Sequence, residues 1–197
     1  RLVGNYDHNH ENLGFFDGDA LSFDAQAYVN WMTDEDHYLA QCFDGLSAIG
    51  NVIYESIVRL REQPREAGTG GAVILNVSSD GSGAISRSFY MVGGAVTGDY
   101  ASTGVNMGAT VSGTKFQMVA RCVVYSGFTS AVMKIQESTD NGSVDPYADI
   151  TGLTATFTAI GVERDEITIA TEAWKRAYID VTGTGSVTVL VTCGLVT

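Results

Sequence analysis

Basic residues are scarce in this sequence. Its 197 residues include 11 lysines and arginines against 23 aspartates and glutamates, which gives a formal net charge of −12. Nucleic acids and anionic membrane surfaces both attract basic patches, so this balance argues against binding to either. Long apolar runs are also missing: no stretch approaches the roughly 18 residues that cross a bilayer, and no signal-peptide pattern opens the sequence. We therefore expect neither a membrane span nor a secretory leader.

Cysteine is rare and shows no ligand spacing. Cys42, Cys122 and Cys193 lie far apart, without a CxxC or Cys/His pattern. The odd count favours free thiols, buried as small apolar side chains in a protein made in a reducing compartment. A Cys122–Cys193 disulfide stays open as an alternative, because both residues lie in strand-like segments.

Patterns for metal binding are weak. His8-Asn9-His10-Glu11, with His37 as a third ligand, has residue types that bind transition metals, but a solvated arm explains it better. Asp140–Asp145 resembles part of a calcium loop, yet it has neither the terminal glutamate nor the flanking helices of an EF-hand. A hairpin turn accounts for its Asp-Asn-Gly sequence. We predict no metal site and no cofactor.

Patterns for catalysis are weaker still. The sequence has no Gly-x-Ser-x-Gly motif, and no histidine follows His37 to serve as a base in the C-terminal region. Neighbouring acids such as Asp165 and Glu166, or Asp34–Asp36, are expected by composition alone in so acidic a chain and are interpreted as solvated surface charge. We predict no catalytic residues and a protein that is not an enzyme.

Two regions differ in composition. Residues 1–67 hold twelve acids and four bases, and residues 68–197 hold eleven acids and seven bases. Pro64 and the glycine-rich stretch 68–71 separate them, which is typical of a helix end followed by a flexible joint. We predict an N-terminal region at 1–67 and a β-domain at 68–197.

The N-terminal region is predicted to be an extended arm followed by a helix. Residues 1–33 show no sustained period and carry isolated aromatic residues that such a segment cannot bury on itself. From Thr33, apolar residues recur every three or four positions to about Gln63, which predicts an amphipathic helix over about 33–63. A break near Gly45–Gly50 into two shorter helices is an equal alternative.

The C-terminal region is predicted to be almost wholly β. Its predicted strands, which are rich in Val, Ile, Thr, Phe and Tyr, are 72–77, 85–92, 114–125, 131–137, 153–160, 166–171, 174–182 and 186–193. The turn signals between them are 79–83, 140–143, 151–152 and 183–185. The fold class is therefore mainly β: an antiparallel, jelly-roll-like β-sandwich preceded by the arm and the helix.

Two stretches carry a family resemblance. Lys134-Ile-Gln-Glu-Ser138, the turn Asp140-Asn-Gly-Ser143 and Tyr147-Ala-Asp-Ile150 resemble a β-sandwich common in virion proteins of tailed bacteriophages. The stretch 174–189 resembles the final hairpin of the same group, and the resemblance covers about residues 115–195. It implies a virion protein assembled in the host bacterial cytoplasm, and no catalytic residues come with it.

The resulting hypothesis is a non-enzymatic capsid decoration (cement) protein. Its partners would be capsid or other virion proteins, and it would form a homo-oligomer, with a trimer as one candidate. The predicted partner-interface residues of the arm and helix are Tyr6, Phe15, Phe16, Phe23, Tyr28, Trp31, Leu39, Phe43, Leu46 and Ile53.

Two alternatives stay open. One is a neck, tail or head-fibre protein of the same virion class. The other is a carbohydrate-binding sandwich for adhesion to a host surface, in which aromatic rings stack on sugars. The candidate residues for that stacking are Tyr90, Tyr100, Tyr125, Tyr147 and Trp174.

Overall fold

The computed structural model describes residues 9–16, 37–41, 48–62, 65–67, 73–81 and 86–196, with side chains at 48–55 and 86–196. This part of the chain is mainly antiparallel β-sheet and contains no helix. Its strands are β1 (Asn9–Phe16), β2 (His37–Gln41), β3 (Val52–Glu62), β4 (Arg65–Ala67), β5 (Val73–Gly81), β6 (Ser86–Val96), β7 (Tyr100–Ala101), β8 (Val105–Asn106), β9 (Phe116–Ser138), β10 (Ala148–Phe157), β11 (Gly161–Ile167) and β12 (Trp174–Val196).

The chain divides into two compact units. Unit 1 comprises Arg1–Ala40 and Glu55–Ile85, and unit 2 comprises Gln41–Tyr54 and Ser86–Thr197. The predicted compositional boundary at 67/68 falls inside unit 1, so the two divisions of the chain do not coincide. In unit 1, β1 pairs antiparallel with β5, which pairs on its other side with β3 and β4.

The helix predicted for residues 33–63 is wrong wherever the structure describes that range. β2 and β3 occupy it, and Gly50, in the turn before β3, has a φ of +90° that an α-helix does not allow. Spacings of three and four also occur in two strands separated by a turn. Branched side chains favour the extended form, and in β3 these are Val52, Ile53, Ile57 and Val58. Of the predicted arm, β1 is described; the rest, like residues 42–47, lies outside the described residues.

Two long strands organise unit 2. β9 and β12 pair antiparallel along almost their whole length, from Trp174↔Ser138 to Leu195↔Phe116. On its outer edge, the first part of β12 pairs with β7 and β8, and the second part pairs with β6. The outer edge of β9 pairs with β11 along its first part and with β10 along its second. Each long strand therefore has two different neighbours.

Glycines mark the bend where those neighbours change, which we call the elbow (126–128 and 183–186). Gly127 and Gly183 have positive φ values of 83° and 100°, and the β9–β12 register shifts on both sides of Gly183. The predicted turn at 183–185 is therefore a bulge inside β12. β9 is one continuous strand where two were predicted, at 114–125 and 131–137. β12 likewise replaces the two strands predicted at 174–182 and 186–193. These glycines let a strand bend without ending.

Side chains from both sides of the elbow share one core. Of the residues predicted to share one face of a strand, Phe116, Met118, Ala120 and Cys122 lie together in this core, whereas Val124 is exposed near the elbow. The core also contains Val187, Val189 and Val191 from the second part of β12, and Met133, Ile135, Ala177 and Ile179 from beyond the elbow. Burial of these apolar surfaces is the main source of stability for unit 2.

Lys175 is buried at the edge of this core. Its side chain is 0% exposed, and its ammonium donates hydrogen bonds to the carbonyl oxygens of Gly108 (2.7 Å) and Glu172. The ammonium also lies 5.5 Å from the centroid of the Phe116 ring. Gly108 belongs to the β8–β9 connection and Glu172 to the β11–β12 connection. Thr110 and Thr171 exchange backbone hydrogen bonds between the same connections, so Lys175 fastens two loops that already pair.

Candidate interaction face

The outward side of β9, β10 and β12, beyond the elbow, carries a continuous chain of polar contacts. Arg176 Nε donates to Gln136 Oε1 (2.8 Å), and Gln136 Nε2 donates to Asp149 Oδ1 (2.7 Å). Lys134 Nζ lies 3.1 Å from the other oxygen of Asp149. We call this set, together with Tyr147, the polar face. Its members other than Tyr147 come from three strands, because alternate residues of neighbouring strands align in one row. Tyr147 immediately precedes β10.

Hydrogen bonds on the polar face shift the pKa values of Asp149 and Lys134. Hydrogen bonds from Gln136 and Lys134 lower the pKa of Asp149 below its ordinary value, and the bond to Asp149 raises the pKa of Lys134. Both side chains are therefore charged near neutral pH. Lys134 and Asp149 form a partly solvated ion pair, which contributes little to stability but orients the neighbouring amide of Gln136.

The β9–β10 connection is the loop beside the polar face. The Asp140 carboxylate accepts backbone N–H groups from Ser143 (3.0 Å), Val144 (2.7 Å) and Asp145. These donors lower the pKa of Asp140, although partial desolvation acts in the opposite direction. The carboxylate thus serves the loop's own backbone. The predicted turn is confirmed, since Asn141 and Gly142 have consecutive positive φ values of 66° and 77°.

Tyr147 joins the loop to the polar face. Its hydroxyl donates to Asn141 Oδ1 (2.7 Å), and the guanidinium of Arg176 lies 4.2 Å from its ring centroid. The backbone at Gly104 is so close that an added Cβ would lie 2.0 Å from the Tyr147 hydroxyl oxygen. The ring is therefore held by neighbours on several sides. These neighbours leave Tyr147 poorly suited to stack on a sugar, because stacking needs an open ring face.

The other proposed stacking residues are placed differently from one another. Tyr90 is buried at 6% exposure, and Tyr125 is half-buried with its hydroxyl donating to the Phe128 carbonyl (3.1 Å). Trp174 is half-buried, and Tyr100, at 39%, is exposed. The structure does not bring these five residues together on one open surface.

Most predicted partner-interface residues lie outside the part described. Among the described side chains, Ile53 is buried at 4% exposure near the start of β3, and its assignment to a partner interface stays a prediction. Phe15, Phe16 and Leu39 are described by backbone only, within β1 and β2. The positions outside the described residues are Tyr6, Phe23, Tyr28, Trp31, Phe43 and Leu46.

The two described cysteines are buried and form no disulfide, so the alternative of a Cys122–Cys193 disulfide is wrong. Cys122 is opposite Val189, whereas Cys193 is opposite Met118. Four residues of strand separate the two rows, about 13 Å along the sheet, which is too far for a disulfide. Burial raises the pKa of the Cys122 thiol and keeps it protonated.

The remaining sequence candidates have ordinary surroundings. Asp165 accepts the Thr154 N–H (3.1 Å), while Glu166 pairs with Lys115 (2.8 Å) and Arg164 (2.9 Å). Adjacent residues of a strand point to opposite faces, so these two acids do not form a catalytic pair. Within the described residues, no three His, Cys, Asp or Glu side chains are grouped to hold a metal ion. Nor does a helix there have the length and apolarity to cross a bilayer.

Sequence reasoning missed Lys175 and the joining role of Arg176. The sequence around Lys175 does hold a signal for its burial. Ala177 and Ile179 face inward, and Lys175 lies two residues before Ala177 on the same face of the strand. Strict alternation would have predicted a buried lysine there. The partners of Arg176 are distant in sequence, so no local pattern identifies them.

Comparisons with known proteins identify no family for this chain and give a distant structural likeness. No protein-family model matches the sequence, and no curated protein matches it. One similar solved structure is described as the SPP1 Dit (gp 19.1) protein, a paradigm of the hub adsorption apparatus in phages infecting Gram-positive bacteria. It is 14% identical, with 95% of this chain and 78% of that chain covered, at a TM-score of 0.24. No inference about this chain rests on a superposition at that score.

Proposed function

We propose that this chain is a non-enzymatic structural protein of a tailed-phage virion. Within that class, the proposal is a decoration protein that binds the assembled head through its N-terminal region. It would act by covering surface between neighbouring capsid subunits, and its second unit would be a jelly-roll-like β-sandwich that faces outward.

One observation carries the proposal. The two stretches that resemble phage virion domains are separated in sequence but adjacent in space, because β12 pairs with β9 and β9 with β10. Arg176 from one stretch and Gln136 and Asp149 from the other form a single hydrogen-bonded chain. Residues that carry a family resemblance are expected to form one structural unit, and here they do.

The sandwich proposal has separate support. Strands on the two sides of the elbow contribute inward side chains to one core. Phe116, from one side, lies 5.5 Å from the ammonium of Lys175, from the other. Two sheets that face each other across shared side chains are the arrangement of a sandwich.

The test is co-sedimentation of the full chain with purified heads, and separately with purified tails, of the phage that encodes it. We expect binding to heads at a fixed copy number and none to tails. Binding to tails alone would replace decoration with a tail role. Binding to neither particle, together with binding to glycans, would favour the carbohydrate-binding alternative and overturn the virion proposal.

Variants locate the contact. Deletion of residues 1–33 should abolish binding to heads while the circular dichroism of the remaining β-structure persists. The matched control is Val144→Ser, which changes an exposed apolar side chain on the β9–β10 loop and should leave binding unchanged. Binding that survives the deletion would contradict attachment through the N-terminal region.

A further inference from the structure

Asn141-Gly142 is the one Asn-Gly pair in the 197-residue sequence. An Asn-Gly pair is chemically labile, because glycine has no side chain to hinder its own backbone nitrogen. That nitrogen can attack the asparagine amide carbon and form a C–N bond, while the bond from that carbon to the side-chain nitrogen breaks and ammonia leaves. Water then opens the cyclic imide to aspartate or isoaspartate. The only co-reactant is water, and no electrons are exchanged.

The loop holds both reacting groups in other contacts. The attacking nitrogen belongs to Gly142, whose N–H donates to Ser138 Oγ (2.8 Å). The amide oxygen of Asn141 accepts the Tyr147 hydroxyl (2.7 Å). Attack requires the nitrogen to lose its proton and the amide carbon to swing toward it. Each hydrogen bond opposes one of those two movements.

The residues that hold the pair are fixed in turn. Ser138 is fully buried, and its hydroxyl also donates to the Asp145 carbonyl (2.8 Å). Tyr147 is held by Arg176, 4.2 Å from its ring centroid, and by the close backbone at Gly104. Neither holding group can turn aside without breaking contacts of its own.

We propose that Asn141 is a site of spontaneous deamidation that Ser138 and Tyr147 keep unreacted in the folded chain. Deamidation would add a carboxylate beside Asp140 and Asp145 and remove the NH₂ group of the Asn141 amide. An isoaspartate would also lengthen the backbone at a turn that needs two consecutive positive φ values. The loop and the polar face would both change. This inference is independent of the proposed virion role.

The test compares deamidation rates in mildly alkaline buffer by mass spectrometry of tryptic peptides. Cleavage after Lys134 and Arg164 gives a peptide in which Gln136 is the only other side-chain amide. The samples are the folded full chain, a synthetic peptide covering 138–147, and the full-chain variants Tyr147→Phe and Ser138→Ala. Tyr125→Phe is the matched control, because it removes a hydroxyl bonded elsewhere in unit 2.

We expect Asn141 to react at least about tenfold more slowly in the folded chain than in the peptide, because reaction requires local opening. Tyr147→Phe should accelerate it by about fivefold, the factor that one hydrogen bond gives an opening equilibrium. Tyr125→Phe should not. A folded chain that reacts as fast as the peptide would overturn the proposal. So would a Tyr147→Phe variant, folded by circular dichroism, that reacts as slowly as the unsubstituted chain.

Discussion

The two ends of β9 differ on their outward side. Before the elbow, the outward residues Gln117, Val119 and Arg121 are all buried. The inward residues that alternate with them are buried as well. After the elbow, outward Val132, Lys134 and Gln136 are only half-buried. One strand thus has two buried faces at one end and one at the other.

Local sequence does not encode the burial of a strand's second face. Both ends present one valine and two long polar side chains outward, so their outward composition is nearly the same. Burial of Gln117 and Arg121 therefore requires polar partners; Gln117 Oε1, for example, accepts from Arg164 Nε (2.7 Å). At the other end, Lys134 and Gln136 both donate to the Asp149 carboxylate and remain in contact with solvent.

The elbow between the two ends should be the most sensitive point. A Cβ on Gly185 would lie 2.1 Å from the Ser126 carbonyl oxygen and 2.5 Å from the Phe128 nitrogen, both backbone atoms that cannot turn away. Gly185→Ala should therefore lower the free energy of unfolding by about 4 kcal/mol or more, measured by urea denaturation. Gly98→Ala, where no atom lies within 4 Å of the added Cβ, should be nearly neutral. A mild Gly185→Ala would contradict the close approach.

The difference between the ends can be measured with one substitution made twice. Val119, 1% exposed, and half-buried Val132 both lie on the outward side of β9. Val119→Asn places an amide in a buried site and should cost about 3 kcal/mol, whereas Val132→Asn should cost less than about 1. Thermal or urea unfolding gives both values. Equal costs would show that the outward face is buried alike at both ends.

These elements also show how far sequence reasoning reached. The predicted strands coincide with much of β5, β6, β9, β10 and β12, because Val, Ile and Thr content and alternation are local properties. The predicted strand 166–171 overlaps β11 only at residues 166–167, and the turn predicted at 151–152 is wrong, since both residues lie inside β10. The helix prediction over β2 and β3 was wrong, since spacing was weighed above branched residues. Gly183–Gly185 predicts a turn from sequence, because glycine marks both turns and bulges and only the pairing partner distinguishes them.

The candidate site was less predictable. Asp140-Asn141-Gly142 predicted its turn from residue types alone. The contacts of Arg176 with Gln136 and Tyr147 join residues about 30 to 40 positions apart, and they depend on the β9–β12 register. That register is set by the whole sheet.

Lys175 lies on the other side of the elbow from Phe116 and faces the same core. Its substitution tests how much its hydrogen bonds to the two paired loops stabilise unit 2. Lys175→Met keeps most of the apolar stem but leaves the carbonyls of Gly108 and Glu172 without the donor, which should cost about 2 kcal/mol. Urea denaturation measures the loss. Lys134→Met, on the half-buried outward side, is the matched control and should cost less. Equal losses would contradict a special role for the buried ammonium.

The effect of Lys175 should also depend on pH. Desolvation lowers its pKa in the folded chain from the ordinary 10.5, against the opposing charges of Cys193, Glu137 and Glu172. Between the lowered pKa and 10.5, the unfolded chain binds a proton that the folded chain does not. The stability contributed by Lys175 therefore rises with pH in that window. The stability difference from Lys175→Met should widen there, and a constant difference would contradict the shift.

The smallest expected effect lies on the solvated end. Asp149→Asn removes the ion pair with Lys134. Because the Asp149 side chain is 47% exposed, the substitution should lower the free energy of unfolding by less than about 1 kcal/mol. The pKa of Asp149 is lowered in the folded chain, so its contribution is present above the ordinary value of 3.8 and is lost as the pH falls through the lowered value. The free energy of unfolding of both proteins, measured at a series of acidic pH values, tests this. A difference that persists at the lowest pH would rule out the ion pair as its source.

The position of β12 has a consequence for the order of folding. β12 lies between β6 and β9, although both are synthesised before it. On a ribosome, neither strand can complete its pairing until β12 has emerged, and their apolar faces stay open meanwhile. Closure then joins strands that are distant in sequence, which makes the barrier high and folding slow. At a given equilibrium stability, slow folding implies slow unfolding, so unit 2 should persist through kinetics as well as through its equilibrium stability.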